Sequence, residues 1–292
     1  MNQGHPTGSH QAEIAAGERF SFGENWRRFL DSVDETRVAE SRESLLTMLD
    51  RETLGGLTFI DVGCGSGLSS LAARRAGAWV TSFDYDPASV ACTLELQRRF
   101  QSVDTHWSVA EGSVLSPEYL ESLGDFDIVY SWGVLHHTGN MWGALENVAG
   151  LVKPGGTLFI AIYNDQGFPS RIWKRIKQLY CGSSRPVRWL LEISVAAYLL
   201  VKSSLGRLVR GDNPLPWVAL QRYRQGHRGM SWWRDVVDWI GGYPFEVATP
   251  EAIFEFYRKR GFVLERLKTW GGRMGCNEYV FRRADSDGRS GA

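Results

Sequence analysis

The stretch 59-FIDVGCGSGLSS-70 decides the fold. An apolar pair, Phe59 and Ile60, leads into Asp61, and glycines follow at 63, 65 and 67. A short apolar run, a glycine turn and a helical pattern make a strand–turn–helix unit. Glycines let a backbone approach a ligand with no Cβ in the way. A dinucleotide fingerprint is G-x-G-x-x-G. Here Leu68 stands where its third glycine belongs, so the spacing is G-x-G-x-G. A carboxylate as close as Asp61 serves a pyrophosphate poorly and a cationic or amine-bearing ligand well. That spacing disfavours an NAD-dependent oxidoreductase.

Outward from this turn, strands alternate with helices. Strands are expected at 57–62, 78–83, 105–112, 126–132 and 157–163, the last opened by the turn 153-KPGG-156. Helical segments between them imply parallel pairing with right-handed crossovers. A helix over 250–261 and strands at 262–270 and 276–283 return at the end, and the short turn 271-GGRMG-275 pairs these two strands antiparallel. The expected fold is α/β: a doubly wound, mainly parallel seven-stranded sheet, Rossmann-like, with an antiparallel last strand and a helical insertion after strand five. The expected organisation is a disordered lead-in (1–19), an N-terminal helical lid (20–56), a cofactor-binding core (57–163), a substrate-side insertion (164–249), a C-terminal helix and strands (250–283) and a flexible tail (284–292).

Open sheets of this kind bind ligands beyond the carboxyl ends of the strands. Asp84 closes the second strand nineteen residues past Gly65. A carboxylate there can accept hydrogen bonds from both hydroxyls of a ribose; its alternative role is a helix N-cap. The site reads as a nucleoside site with a positive group near Asp61 and no phosphate cradle.

Bulk properties narrow the rest. The chain has 292 residues, 33 Lys plus Arg and 33 Asp plus Glu, so no global field steers it toward nucleic acid, and no nucleic acid partner is expected. Cys64, Cys92, Cys181 and Cys276 form no CxxC pair, which fits a reducing, cytoplasmic setting. The first residues lack a basic-then-apolar signal layout.

In combination, DVGCGSG, Asp84 in TSFDYD, YSWGVLHH after strand four, and KPGG resemble the class I S-adenosylmethionine-dependent methyltransferases. The wording is similar to bacterial quinone-biosynthesis-type O-methyltransferases. The resemblance covers roughly residues 57–163 plus the terminal strands. It implies S-adenosyl-L-methionine as cofactor, with Asp61, Gly63, Cys64, Gly65 and Gly67 flanking it and Asp84 and Tyr85 at its ribose. Gly112 and Ser113 would lie at the adenine edge, where many members carry an acid in place of Ser113. Ser131 and Trp132, at the end of strand four, and Trp26 complete the expected cofactor contacts. Trp26 is either part of an aromatic lid, a fair partner for a sulfonium, or a core residue of the first helix.

His136 and His137 follow strand four, where the methyl group would emerge, and histidine suits a general base for a hydroxyl acceptor. Each could instead pack and bond a loop carbonyl. Adjacent histidines chelate one metal badly and no third ligand is spaced nearby, so no metal is expected. Asn164, Arg228, Tyr243 and Glu246 are the candidate substrate contacts. The expected function is methyl transfer to a small-molecule acceptor, most naturally to oxygen on a metabolite, sugar or lipid-linked intermediate. The rival is a cofactor-binding scaffold or regulator without transferase activity.

One segment stands apart. From 171 to 210 there are nine Lys/Arg and one acid, Glu192, around 189-WLLEISVAAYLLV-201. It reads as a buried helix with charged ends, a homodimer contact, or a helix in peripheral contact with a membrane.

Overall fold

The structure is a computed structural model; it describes residues 10–31, 33–101, 105–213, 215, 232–271 and 275–285. Seven strands form one sheet: β1 (Thr58–Val62), β2 (Trp79–Asp84), β3 (Trp107–Glu111), β4 (Phe126–Trp132), β5 (Val152–Tyr163), β6 (Phe262–Lys268) and β7 (Cys276–Arg283). Their order is β3-β2-β1-β4-β5-β7-β6. The first five pair in parallel; β7 runs antiparallel to both β5 and β6. The order reverses between β1 and β4, so the glycine turn that leaves β1 stands at the switch point.

Alternation along β1 builds both faces. Phe59 packs with Val80, Ile128, Tyr130 and Phe159 on one side. Ile60 packs with Phe83, Val129, Leu158 and Ile160 on the other. The first face is covered by α2 (Gly23–Leu30), α3 (Glu35–Leu49), α4 (Leu68–Arg75) and α5 (Pro87–Phe100); the second by α6 (Pro117–Leu123) and α7 (Met141–Gly150). The insertion contributes α8 (Phe168–Gly182), α9 (Arg185–Val209) and α10 (Trp232–Gly241), which share a third core around Trp173, Val195, Val236 and Ile240. Helix α11 (Pro250–Arg258) buries Ile253 and Tyr257 beneath the C-terminal strands.

Three differences from the sequence-based expectation are physical. The helical lid expected over residues 20–56 holds two helices, because the Asp34 side chain accepts from the Arg37 N–H at 2.9 Å and starts α3 afresh. Strand β5 begins at Val152, ahead of the KPGG turn, since Phe126 already pairs with Val152 and the register shifts before Ile128. Residues 10–19, expected within a disordered lead-in, carry α1 (His10–Ala15) and are fastened by polar contacts. His10 is buried with its Nδ1 at 3.6 Å from Asp86, and Glu13 accepts from the Tyr85 hydroxyl at 2.9 Å.

Candidate active site

Gly63, Gly65 and Gly67 all have positive φ, at 80°, 55° and 80°. A Cβ at Gly63 would meet Val134 at 2.3 Å, and one at Gly67 would meet Thr93 at 2.8 Å. The turn is therefore glycine for conformation and for space at once. Its direction is set by Asp84, whose Oδ2 accepts from the Gly65 N–H at 2.9 Å while Oδ1 accepts from the Asp86 N–H at 2.9 Å. Helix α5 is capped by Asp86, which accepts from the Ala88 N–H at 2.9 Å, so the capping role considered for Asp84 belongs two residues on.

Asp61 is held from behind. Its Oδ2 accepts from the Ser70 hydroxyl at 2.5 Å, Ser70 from Ser82 at 2.8 Å, and Ser82 from the Trp107 indole N–H at 2.9 Å. Sequence reasoning missed this relay; a serine on a helix and another on a neighbouring strand become linked only when the two elements pack. Burial pushes the Asp61 carboxyl up to about 7, against the Ser70 hydrogen bond. Burial likewise pushes Asp84 up to about 6, against the Asp86 and Gly65 N–H groups. Two desolvated carboxyls fit a ligand that donates hydrogen bonds and carries positive charge.

Both acids line one cavity of about 2200 Å³, together with Gly63, Cys64, Gly65, Tyr85, Gly112, Ser113, Trp132 and Trp26. The Trp26 ring stands 3.1 Å from where a Cβ on Gly65 would project, so it roofs the glycine turn. Gly67 sits behind the turn, against Thr93. Ser131 is fully buried and its hydroxyl donates to the Val62 carbonyl at 2.9 Å; it braces β4 to β1 and does not line the cavity.

The histidines diverge. His136 is fully buried, its ring tilted 45° against Tyr163 with centroids 4.0 Å apart; its Nδ1 accepts from the Tyr163 N–H at 3.4 Å and its Nε2 finds no hydrogen-bond partner. His137 lines the cavity and its Nδ1 lies 2.6 Å from the Pro244 carbonyl. A carbonyl only accepts, so Nδ1 carries the proton and Nε2 keeps its lone pair. Burial pushes the His137 imidazole down to about 3, so it is neutral at physiological pH. Around it stand Tyr163, Asp238 and Trp239, which carry the cavity from β5 to α10. Behind Trp239, burial pushes the Lys177 ammonium down to about 7; its Nζ lies 4.2 Å from the Trp239 ring centroid.

The candidate substrate contacts fall elsewhere. Asn164 accepts from Asn277 at 3.1 Å and ties the end of β5 to β7. Glu246 accepts from the Met141 N–H at 2.9 Å, at the start of α7. Tyr243 packs in the insertion's core and its carbonyl accepts from the Phe20 N–H. None of the three lines the cavity. Arg228 lies outside the described residues.

A clasp unseen in the sequence crosses the cavity. Arg19 pairs with Glu13, donates to the carbonyls of His137 at 3.0 Å and Thr138 at 3.5 Å, and lies 5.1 Å from the Tyr85 ring. It joins the loop after β2 to the loop after β4.

Residues 60–158 match a family model described as a methyltransferase domain. The chain is 32% identical over 182 residues to an uncharacterized methyltransferase of Mycobacterium bovis, covering 57% of this chain and 89% of that protein. It is 31% identical over 159 residues to a ubiquinone biosynthesis O-methyltransferase of Caulobacter vibrioides, covering 53% of this chain and 59% of that one. The chain thus spans less than two thirds of the Caulobacter relative. In fold it is similar to magnesium protoporphyrin IX methyltransferase of Synechocystis, solved with bound SAH, at a TM-score of 0.53 and 14% identity, covering 93% of this chain and 99% of that one. The mycobacterial likeness spans nearly the whole of that relative, and with it the chain belongs to the class I S-adenosylmethionine-dependent methyltransferases.

Proposed function

We propose that this protein transfers a methyl group from S-adenosylmethionine to a hydroxyl oxygen of a small molecule. The observation that carries the reading is His137: a neutral imidazole, pinned through Nδ1 to the Pro244 carbonyl, in the same cavity as Asp84 and the glycine turn. Support for oxygen over other acceptor atoms comes from the relatives named O-methyltransferases.

The cofactor, when bound, supplies a methyl group already activated on a sulfonium. Asp84 would accept from the ribose hydroxyls, with Tyr85 beside them, and Asp61 would face the positive end of the ligand. Gly112 and Ser113 would border the adenine. Trp26 roofs the turn and excludes water. Alignment in a dry site can supply roughly 7–11 kcal/mol of the barrier.

His137 then orients the acceptor by taking a hydrogen bond at Nε2. Bound there, the cofactor would give its methyl group to the acceptor oxygen and would leave as a neutral thioether. The hydroxyl proton passes to Nε2 and on to solvent. An imidazole held near 3 is a weak base, yet it suffices here, because a protonated ether is a far stronger acid than imidazolium. Tyr163 and Trp239 give the acceptor an aromatic bed, and Asp238 a polar contact at its far side.

The test is a radiolabelled-methyl screen of cell extract fractions with the purified protein, read by mass spectrometry. Label on an ether oxygen supports the proposal. Label on nitrogen or carbon overturns the choice of atom. Binding of S-adenosylhomocysteine with no transfer in any fraction favours the scaffold reading.

A further inference from the structure

Helix α9 is inside out. It is 25 residues long, roughly 37 Å at 1.5 Å per residue, and only one narrow stripe of it is buried. Val195 and Ala196 are the buried apolar residues and meet the insertion's core beside Val236 and Ile240. The outward face carries Val187, Trp189, Leu190, Ile193, Tyr198, Val201, Leu205 and Leu208, with Trp189 62% and Leu190 60% exposed. Helix α8 adds exposed Phe168, Ile172 and Leu179 on the same insertion. An exposed apolar surface this long marks something that covers it.

Charge tells which cover fits. Arg171, Lys174, Arg175, Arg185 and Lys202 are exposed in the same two helices, while Arg210, at the end of α9, pairs with Asp212 at 3.8 Å. The single acid of α8 and α9, Glu192, is committed to the Tyr180 hydroxyl at 2.7 Å. Two copies packed through this face would set cation against cation, whereas an anionic lipid surface offers apolar depth and opposite charge together.

We infer that the α8–α9 face docks this protein on an anionic bilayer, with α9 lying in the interface plane. Among the described residues α9 is the one helix apolar and long enough to cross a membrane. It lies on the bilayer instead, because Val195 and Ala196 are held in the insertion's core and Arg207 is bonded to the Asn213 carbonyl. The docked face belongs to the insertion that also supplies Asp238 and Trp239 to the cavity, so the acceptor side is brought near the lipid. The lipid contact does not depend on which atom is methylated.

The test is flotation of the full chain with vesicles of phosphatidylcholine, alone or mixed with phosphatidylglycerol. Expected is flotation with the mixed vesicles, weakened by salt and much smaller with phosphatidylcholine alone. The double variant Leu190→Glu/Val201→Glu should lose it. Arg171→Gln and Arg175→Gln should each weaken partition by about fivefold. Both substituted sets lie on exposed positions, and unchanged binding of S-adenosylhomocysteine shows that the variants are folded. No flotation with mixed vesicles at low salt, or equal flotation with both, overturns the inference. So does a dimer in sedimentation velocity that Leu190→Glu/Val201→Glu dissolves without affecting lipid binding. Resistance of the cell-membrane-bound protein to alkaline carbonate extraction overturns it in favour of a spanning helix.

Discussion

The Gly65 backbone N–H donates to Asp84 Oδ2 at 2.9 Å, so the acid that ends β2 also shapes the turn that ends β1. One carboxylate thus sets the glycine loop and lines the cavity. Asp84→Asn should weaken S-adenosylhomocysteine binding by about 10–150-fold, the equivalent of about 1.5–3 kcal/mol for a hydrogen bond to a charged group. Isothermal titration calorimetry measures this, and an unchanged Kd removes Asp84 from the site.

The raised carboxyls make cofactor binding pH-dependent. Asp61 at about 7 and Asp84 at about 6 are higher than in an unfolded chain, so the native protein binds their protons more tightly. Their contribution to stability without ligand is present at low pH and lost as pH rises through 6 to 7. A ligand carrying positive charge and ribose hydroxyls prefers the ionised acids, so its affinity rises over that window. The shift in Tm caused by S-adenosylhomocysteine should therefore be larger at pH 7.5 than at pH 5, by up to about tenfold in Kd per pH unit per proton released. A shift that is constant with pH contradicts this account.

Gly63 tests the turn. Alanine there has positive φ and a Cβ driven into Val134. Gly63→Ala should cost about 2–5 kcal/mol, combining left-handed strain with overpacking. Gly150, at the end of α7, would put its Cβ into open space, and Gly150→Ala should change stability by less than about 1 kcal/mol. Urea unfolding distinguishes the two; equal effects would mean that the turn is not tight.

The two histidines should behave differently although they are adjacent. His137→Gln should keep cofactor affinity and lower turnover by about 10²-fold, once an acceptor is in hand. His136→Phe should be close to neutral in turnover but cost about 1–3 kcal/mol in stability, because it keeps the ring against Tyr163 yet removes the Nδ1 that accepts from the Tyr163 N–H at 3.4 Å. A reversed pattern would move the acceptor to the other side of the loop.

Arg19→Ala opens the clasp between the β2 and β4 loops. Stopped-flow release of S-adenosylhomocysteine should then be about tenfold faster, in line with losing hydrogen bonds from a charged group. Unchanged release would leave Arg19 a surface contact only.

The sheet, the glycine turn and Asp84 were legible because they rest on short-range patterns. Alternation sends Phe59 and Ile60 to opposite faces, and Asp84 closes a strand directly beside β1. Polar residues near strand ends were not legible in the same way. Ser131, Asn164 and Glu246 sit where ligand contacts were expected, yet each is satisfied by a distant backbone or amide group: Val62, Asn277 and Met141.

Chain-local chemistry was enough to establish the α/β architecture, the nucleoside-type turn and the basic, apolar character of residues 171–210. Tertiary packing decided which histidine reaches the cavity, what anchors Asp61, that residues 10–19 cross the site, and that α9 turns its apolar face outward. Helix and strand periods depend on neighbours a few residues away, whereas Arg19 meets His137 across 118 residues and Ser70 meets Ser82 only when a helix settles on a sheet.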